Sequence, residues 1–211
     1  MMKMTENNRT SIENTTEIAC IIDMSGSMTP IRNDAIGGFN TFLQDQQRLP
    51  DKANMTTVLF DDQYILLNDG VDVQKVKPLN SKTYVPRGST ALYDAIGRTI
   101  NAIDARVSGK KDQKAIVAIL TDGQENASRE FHKAKIMDLI KDREKAGWMF
   151  IYLSASASAF ADASAIGISS ANTMPFSHDS RGTNKAYCSM SYSASNYRSS
   201  GKGDKYQNKM W

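Results

Sequence analysis

Three short apolar runs limit the folds that this chain can adopt, because each has the length of a single strand. They lie at residues 18–22, 115–120 and 148–153. The second run contains only alanine and branched aliphatic residues, which is typical of a strand buried on both faces. Between the runs, apolar residues recur at helical spacing in segments 30–47, 89–107 and 128–146. Strands that alternate with helices predict an α/β fold with a three-layer, doubly wound architecture, in which helices cover both faces of a mainly parallel sheet.

Weaker patterns add further elements to this prediction. Strand-like segments at 56–60 and 64–67, joined by an Asp-Asp-Gln turn, predict a hairpin that contributes one antiparallel edge strand. The following stretch, 68–87, contains two prolines and predicts a loop. A short helix, an edge strand and a last amphipathic helix are predicted at 160–166, 172–176 and 182–198.

Length and composition indicate one domain. The chain has 211 residues, of which 40% are apolar, and this is enough to build a proper core. We expect the folded domain at 17–198, between a flexible lead at 1–16 and a flexible polar tail at 199–211. The formal charge is +3, from 26 basic and 23 acidic residues, and this near balance does not indicate a nucleic-acid binder.

Targeting and cysteine patterns favour a cytoplasmic protein. The sequence contains no run of about 18 apolar residues, so no membrane span is expected. The polar lead lacks the apolar stretch of a signal peptide. The two cysteines, Cys20 and Cys188, do not suggest a disulfide framework, and Cys20 is expected in the core.

Oxygen-bearing side chains follow two of the predicted strands directly. Asp23, Ser25 and Ser27 present one carboxylate and two hydroxyls just past the first apolar run. Asp122 follows the second run in the same way, and Thr90 lies at the start of the second predicted helix. Because ligands bind outside the carboxyl ends of strands in such sheets, we expect these five side chains to converge. Such oxygens suit a hard divalent cation, Mg²⁺ in the first place, with Mn²⁺ and Ca²⁺ as alternatives.

These motifs resemble the metal-ion-dependent adhesion site of von Willebrand factor A domains. Asp-Met-Ser-Gly-Ser at 23–27, Gly-Ser-Thr at 88–90 and Thr-Asp-Gly at 121–123 occur in the order found in that family. The resemblance covers residues 17–198. Three segments resemble, more narrowly, small stand-alone bacterial and bacteriophage proteins of this class: Ile-Gly-Gly-Phe-Asn at 36–40, Leu-Tyr-Asp-Ala-Ile-Gly at 92–97 and Thr-Asp-Gly-Gln-Glu-Asn at 121–126.

The resemblance implies a role for each of the five residues. Ser25 and Ser27 are expected to bind the metal directly, and Asp23, Thr90 and Asp122 to bind it directly or through water. A glutamate or aspartate of another protein is expected to complete the shell. The implied function is a metal-dependent protein-interaction module rather than an enzyme, in the cytoplasm of a bacterial cell or a phage-infected host.

Two other functional classes fit parts of the sequence. A metal beside serines can support phosphoryl or acyl transfer, but the chain has no phosphate-binding loop, no Gly-x-Ser-x-Gly elbow and no second aspartate two residues after Asp23. The lysine-bearing tail could associate with nucleic acid together with Tyr187, Tyr192, Tyr197 and Arg198, since aromatic and basic residues stack on bases. A core position in the last helix is the favoured interpretation of Tyr187 and Tyr197.

Other polar residues near these motifs are predicted to have supporting roles. Asp94 is interpreted as a charge at a helix N-terminus. Asp61 and Asp62 are interpreted as the hairpin turn, and the alternative for Asp61 is a position near the rim of the site. Glu125 is interpreted as a rim residue that tunes the site. His132 and His178 lack ligand-type spacing and are predicted to be surface residues.

The Ser/Ala segment 154–159 follows a predicted strand on the side of the sheet that bears the site. Its small residues predict a tight connection from strand to helix. The alternative is that this segment lines the surface that a partner contacts beside the metal.

Overall fold

The computed structural model describes residues 15–110 and 113–200. Within these residues the chain forms six strands and five α-helices. The strands are β1 (Thr16–Asp23), β2 (Ala53–Phe60), β3 (Tyr64–Asp72), β4 (Ala115–Thr121), β5 (Met149–Ser154) and β6 (Thr173–Pro175). The helices are α1 (Arg32–Gln47), α2 (Leu92–Val107), α3 (Lys133–Lys145), α4 (Ala159–Ala165) and α5 (Ser180–Ser199).

All six strands belong to one sheet with the order β3-β2-β1-β4-β5-β6. Every neighbouring pair is parallel except β2 and β3, which form the predicted antiparallel hairpin at one edge. The prediction of a mainly parallel sheet with one antiparallel edge strand is therefore confirmed. The strands β1 and β4 lie side by side at the centre, so the segments that follow them leave the sheet at the same edge.

Successive side chains of the central strands point to opposite faces of the sheet and pack into two separate hydrophobic cores. In β1, Ile18, Cys20 and Ile22 pack on the face covered by α1 and α5. Ala19 and Ile21 point to the opposite face, which α2, α3 and α4 cover. Because both faces of the sheet are buried, the strands read as continuous apolar runs. The predicted three-layer, doubly wound α/β fold is confirmed.

The edge strand β3 extends well past the predicted segment 64–67. The added sequence, Asn-Asp-Gly-Val-Asp, has low β propensity, but contacts from outside the strand stabilise it there. The N–H of Gly70 donates to Thr56 Oγ1 at 3.1 Å, and Asp69 pairs with Arg106 on α2. Tertiary contacts therefore decide the length of this strand.

Helix α3 begins at Lys133 rather than at residue 128. Two carboxylates accept hydrogen bonds from backbone N–H groups in the segment that precedes α3. Glu125 accepts from residues 127 and 128, and Asp94 accepts from residues 129–131. Because these side-chain acceptors compete with helical hydrogen bonds, the stretch stays a loop.

The predicted lead 1–16 and tail 199–211 lie almost wholly outside the described residues, and the domain limits 17–198 stay a prediction. Across 15–110 and 113–200, no helix is long and apolar enough to cross a bilayer. Both cysteines are free. Cys20 is buried in β1 as expected, and burial raises the pKa of its thiol to about 12.

Candidate metal centre

The candidate site lies at the edge of the sheet where β1 and β4 end. Asp23 is the last residue of β1, and Asp122 directly follows β4. Two backbone hydrogen bonds hold the loop before α2 against the loop after β1: Gly26 N–H donates to the Gly88 carbonyl at 3.2 Å, and Arg87 N–H donates to the Met24 carbonyl at 2.8 Å. Three loops that are distant in sequence therefore meet at one point.

Hydroxyl and carboxylate groups from two of these loops form a continuous chain. The Ser25 and Ser27 hydroxyl oxygens lie 3.1 Å apart. Ser27 Oγ also donates to Asp122 Oδ1 at 2.6 Å, across 95 residues of sequence. These three predicted residues are thus brought into direct contact.

Asp23 lies beneath this chain and is fully buried. Its Oδ1 accepts from the Ser25 N–H at 2.7 Å, and its Oδ2 accepts from the Thr121 hydroxyl at 2.6 Å. The pKa of Asp23 is raised to about 6, mainly by burial and to a smaller extent by the nearby charge of Asp122, while these hydrogen bonds oppose the shift. Within the described residues, neither aspartate forms an ion pair with a lysine or an arginine. A bound cation would favour the ionised form of Asp23.

Thr90 completes the predicted set from the loop before α2. A side chain added at Gly123 would place its Cβ 3.4 Å from Thr90 Oγ1 and 3.7 Å from Ser27 Oγ, so both hydroxyls border the same glycine. Asn126 fixes the Thr90 backbone, since its Oδ1 accepts from the Thr90 N–H at 2.9 Å. Among the described contacts, the Thr90 hydroxyl makes no direct hydrogen bond to the other four residues.

Two acidic residues near the site serve to hold its loops. Glu125 was predicted to be a rim residue, but its carboxylate accepts from the Tyr93 N–H at 2.9 Å and from the Ser128 hydroxyl at 2.6 Å. Asp94 accepts three backbone N–H groups of residues 129–131, at 2.8–2.9 Å. Both carboxylates are therefore engaged in anchoring the loop between β4 and α3.

Asp61 lies in the hairpin turn, as predicted, and it ties that turn to the loop before α2. Its Oδ2 accepts from Arg87 Nε at 2.8 Å, and its carbonyl accepts from the Ala91 N–H at 2.8 Å. Gly88 makes this close approach possible. Its φ is +65°, which residues with side chains rarely adopt, and a Cβ there would lie 3.3 Å from the Asp61 Cβ.

One polar residue at the site was not predicted from the sequence. His178 is a surface residue, as expected, but its Nε2 lies 2.9 Å from Asp122 Oδ2, across 56 residues. The loop between β6 and α5 carries it. Spacing gave no signal for this contact, but topology did: β6 is parallel to β5, so the residues after it leave the sheet at the edge that bears the site.

The Ser/Ala segment 154–159 forms a tight connection between β5 and α4. Its hydroxyls make local bonds: Ser154 Oγ and Ser156 Oγ accept from backbone N–H groups two residues on, and Ser156 Oγ and Ser158 Oγ lie 2.9 Å apart. Gln124, two residues after Asp122, donates to Ser158 Oγ at 2.8 Å. The prediction of a tight loop is confirmed, and its contribution to a partner surface stays a prediction.

The donor set fits a hard divalent cation. Adjacent ligands of an octahedral ion with bonds near 2.1 Å lie about 3.0 Å apart, and the Ser25–Ser27 oxygen separation of 3.1 Å agrees with this spacing. In the described part of the chain, no three histidine, cysteine, aspartate or glutamate side chains form a metal-ligating group. A cation held at this edge would therefore depend on the hydroxyls as well as the two aspartates.

The tyrosines and arginine considered for nucleic-acid binding do not form an exposed set. Tyr187, Tyr197 and Arg198 are buried, and only Tyr192, which is 60% exposed, faces solvent. The core position favoured for Tyr187 and Tyr197 is confirmed.

The sequence matches no known family profile, and no curated protein matches it. Solved structures do match. One is the structure of proximal thread matrix protein 1 from the mussel byssus, in which zinc occupies the metal-ion-dependent adhesion site (MIDAS) motif. That protein is 17% identical to this chain, with a TM-score of 0.59 over 87% of this chain and 46% of that one. A von Willebrand factor type A protein from Catenulispora acidiphila is 12% identical, with a TM-score of 0.57 over 87% of this chain and 43% of that one. The chain thus spans less than half of either structure.

Proposed function

Since the chain has the von Willebrand factor A fold, we propose that it is a protein-interaction module that depends on a divalent cation. The five proposed ligands are Asp23, Ser25, Ser27, Thr90 and Asp122. The observation that carries the proposal is the chain of oxygen donors in which Ser27 links Ser25 to Asp122. Two carboxylates offset the charge of the cation, and neutral hydroxyls add donors without excess negative charge.

The preferred ion in this proposal is Mg²⁺, with Mn²⁺ and Ca²⁺ as alternatives, because the five donors are all oxygens. The mussel byssus protein supports a divalent ion in general, since its MIDAS motif is occupied by zinc. When bound, the cation supplies an electrophilic position that accepts an outside carboxylate. The proposed partner is accordingly another protein that presents an aspartate or a glutamate.

The protein's own contribution is to hold the donors in place before a partner arrives. Asp61 and Arg87 fix the loop before α2, and Glu125 and Asp94 fix the loop after β4. Donors held in this way lose little conformational freedom on binding, which favours affinity. Nothing in this arrangement requires bond making, so the proposal is a binding protein and not an enzyme.

The two free cysteines agree with a reducing compartment. We therefore include a cytoplasmic location in the proposal. Fractionation of the native host tests this part separately from the metal site. A protein recovered outside the cytoplasm would contradict it without affecting the proposed binding mode.

The experiment compares the wild-type protein with Ser27→Ala, because Ser27 joins the two halves of the donor chain. We expect wild-type protein to bind Mg²⁺ in calorimetry and to retain a host protein on an affinity column until chelator is added. Ser27→Ala should lose both properties while its circular dichroism spectrum stays unchanged. The matched control is Ser164→Ala, which removes an exposed hydroxyl on α4. Capture that persists in excess chelator would contradict the proposal.

A further inference from the structure

We propose that a cavity beside the candidate metal centre binds a basic side chain, with an ammonium or a guanidinium group, from the same partner that supplies the carboxylate. The cavity lies on the face of the sheet that α2, α3 and α4 cover, and its volume is about 200 Å³. This inference rests on the proposed function and deepens it, because it adds a second chemical requirement for the partner.

The cavity adjoins the candidate metal centre in sequence and in space. Gln124 and Glu125 line it, and they lie two and three residues after Asp122. Tyr152 lines it from β5. The pKa of Tyr152 is raised mainly by burial, and the charge of Asp23 adds to this shift. One segment of a partner can therefore contact the metal centre and the cavity together.

The size of the cavity fits one side chain. Pockets that enclose a drug-sized ligand have volumes of about 300–1,000 Å³. A cavity of about 200 Å³ is smaller than this range. It therefore matches the stem and head group of a single lysine or arginine better than a cofactor.

Two carboxylates determine the charge inside the cavity. Glu125 lines it from the loop after β4, and Asp162 lines it from α4. The pKa of Tyr93, which also lines the cavity, is raised first by burial and then by the charges of Glu125 and Asp162. Lys133 lines the cavity as well but is an exposed residue, and it is not among the causes of the Tyr93 shift. The interior around the Tyr93 hydroxyl is therefore negative.

Asp162 is the carboxylate that is available to an outside cation. Its Oδ2 accepts from Ser158 Oγ at 2.8 Å, and within the described residues it forms no ion pair. Both oxygens of Glu125, in contrast, already accept hydrogen bonds from its own loop and from α2. Glu125 therefore contributes charge, whereas Asp162 contributes charge and a free acceptor.

The other polar groups of the cavity suit the same kind of ligand. A guanidinium or an ammonium carries N–H donors and no acceptor, so its site has to offer acceptors. The hydroxyl oxygens of Tyr93 and Tyr152 are acceptors, and aromatic rings attract cations to their faces. A hydrogen bond between a cation and the Asp162 carboxylate is charge-assisted and hence stronger than a neutral one.

The test uses n-butylguanidinium as the probe and n-butylurea as a neutral probe of the same shape. Wild-type protein in chelator is titrated with each, and backbone amide shifts are followed by NMR. We expect saturable shifts at Tyr93, Gln124 and Ala165 with the guanidinium and none with the urea. Asp162→Asn should weaken binding of the guanidinium by about tenfold.

The matched control for this substitution is Asp138→Asn, which removes a carboxylate on the exposed face of α3. It should bind n-butylguanidinium as the wild type does. Equal shifts with the two probes, or equal weakening by the two substitutions, would overturn the proposal.

A second experiment asks whether the partner uses the cavity. Host protein that is retained on the affinity column in Mg²⁺ is washed with n-butylguanidinium or with n-butylurea at the same concentration. We expect release by the guanidinium only. Retention in both washes would mean that the cavity binds a free small cation, and would overturn its assignment to the partner.

Failure of this inference is distinguishable from failure of the proposed function, because the probe titration is done without metal. Asp162→Asn should bind Mg²⁺ in calorimetry as the wild type does. Wild-type protein that binds Mg²⁺ but not n-butylguanidinium would overturn only the role of the cavity. Wild-type protein that binds n-butylguanidinium but not Mg²⁺ would overturn the proposed function, and with it the link between the cavity and a carboxylate-bearing partner.

Discussion

A buried arginine lies at the amino end of the central sheet and two aspartates with buried side chains lie at its carboxyl end, and these charged groups differ in their partners. At the carboxyl end, the negative charge of Asp122 is close enough to affect Asp23, and neither has a lysine or arginine partner among the described residues. At the amino end, the guanidinium of Arg198 is buried and donates to the carbonyls of Gln46 and Asp51. The Arg198 guanidinium is held by backbone carbonyls of the protein, whereas the two carboxylates have hydroxyl, backbone N–H and histidine partners but no lysine or arginine counter-charge among the described residues. This difference suggests that the amino end is structural and that the carboxyl end is built for an external cation.

The largest effect is expected from Arg198→Met at the amino end. The substitution leaves the buried Gln46 carbonyl without its donor and removes the bond to the Asp51 carbonyl, so the free energy of unfolding should fall by about 3 kcal/mol. Urea denaturation measures it. The control, Arg48→Met, removes an arginine whose side chain is 74% exposed, and should cost less than about 1 kcal/mol. Equal effects would mean that the buried guanidinium is not a structural anchor.

The opposite result is expected at the carboxyl end for Asp122→Asn. Without metal, the variant should be at least as stable as the wild type, because it relieves repulsion with Asp23. With Mg²⁺ at a hundredfold excess over its dissociation constant, wild-type protein should gain about 2.7 kcal/mol, and the variant should not. Thermal unfolding with Mg²⁺ or chelator measures both.

The control for this charge change is Asp138→Asn on the exposed face of α3. It should keep the full stabilisation by Mg²⁺. A metal-free Asp122→Asn protein that is strongly destabilised would break the contrast, because the carboxyl end would then be structural as well.

A smaller effect is expected where α1 and α5 pack together. A Cβ at Gly38 would lie 2.0 Å from the Tyr187 ring, whereas a Cβ at Gly37 would meet nothing within 4 Å. Gly38→Ala should cost about 2 kcal/mol through overpacking, and Gly37→Ala should stabilise the helix by up to about 1 kcal/mol. Chemical denaturation distinguishes them.

These adjacent glycines also sharpen the comparison of the two ends, because α5 begins just after His178 and carries Arg198 near its end. If the ends are independent, both glycine variants should bind Mg²⁺ as the wild type does in calorimetry. A change in Mg²⁺ affinity confined to Gly38→Ala would show that the position of α5 influences the site.

Local patterns in the sequence were sufficient for the fold and for most of the site's composition. The runs that became β1, β4 and β5 are buried on both faces, and this produces an unmistakable apolar pattern. The donors Asp23, Ser25 and Ser27 lie close together in sequence, so their common location at a strand end was predictable. Their binding of a metal stays a prediction.

Features set by distant contacts were not predictable in the same way. The contact between His178 and Asp122 joins the ends of β4 and β6, two strands that are not neighbours in the sheet. The late start of α3 depends on the carboxylate of Asp94, which lies on another helix. Both depend on where elements lie relative to one another, and neither leaves a periodic pattern in the sequence.

The link between Ser27 and Asp122 joins residues 95 positions apart in the chain. Such a link forms only after the central strands have paired, and pairing between strands that are distant in sequence is slow. A cation at this site would thus contribute little to the folding transition state if that state precedes closure of the loops. Its main kinetic effect would be to slow unfolding, so that the bound protein persists longer without folding faster.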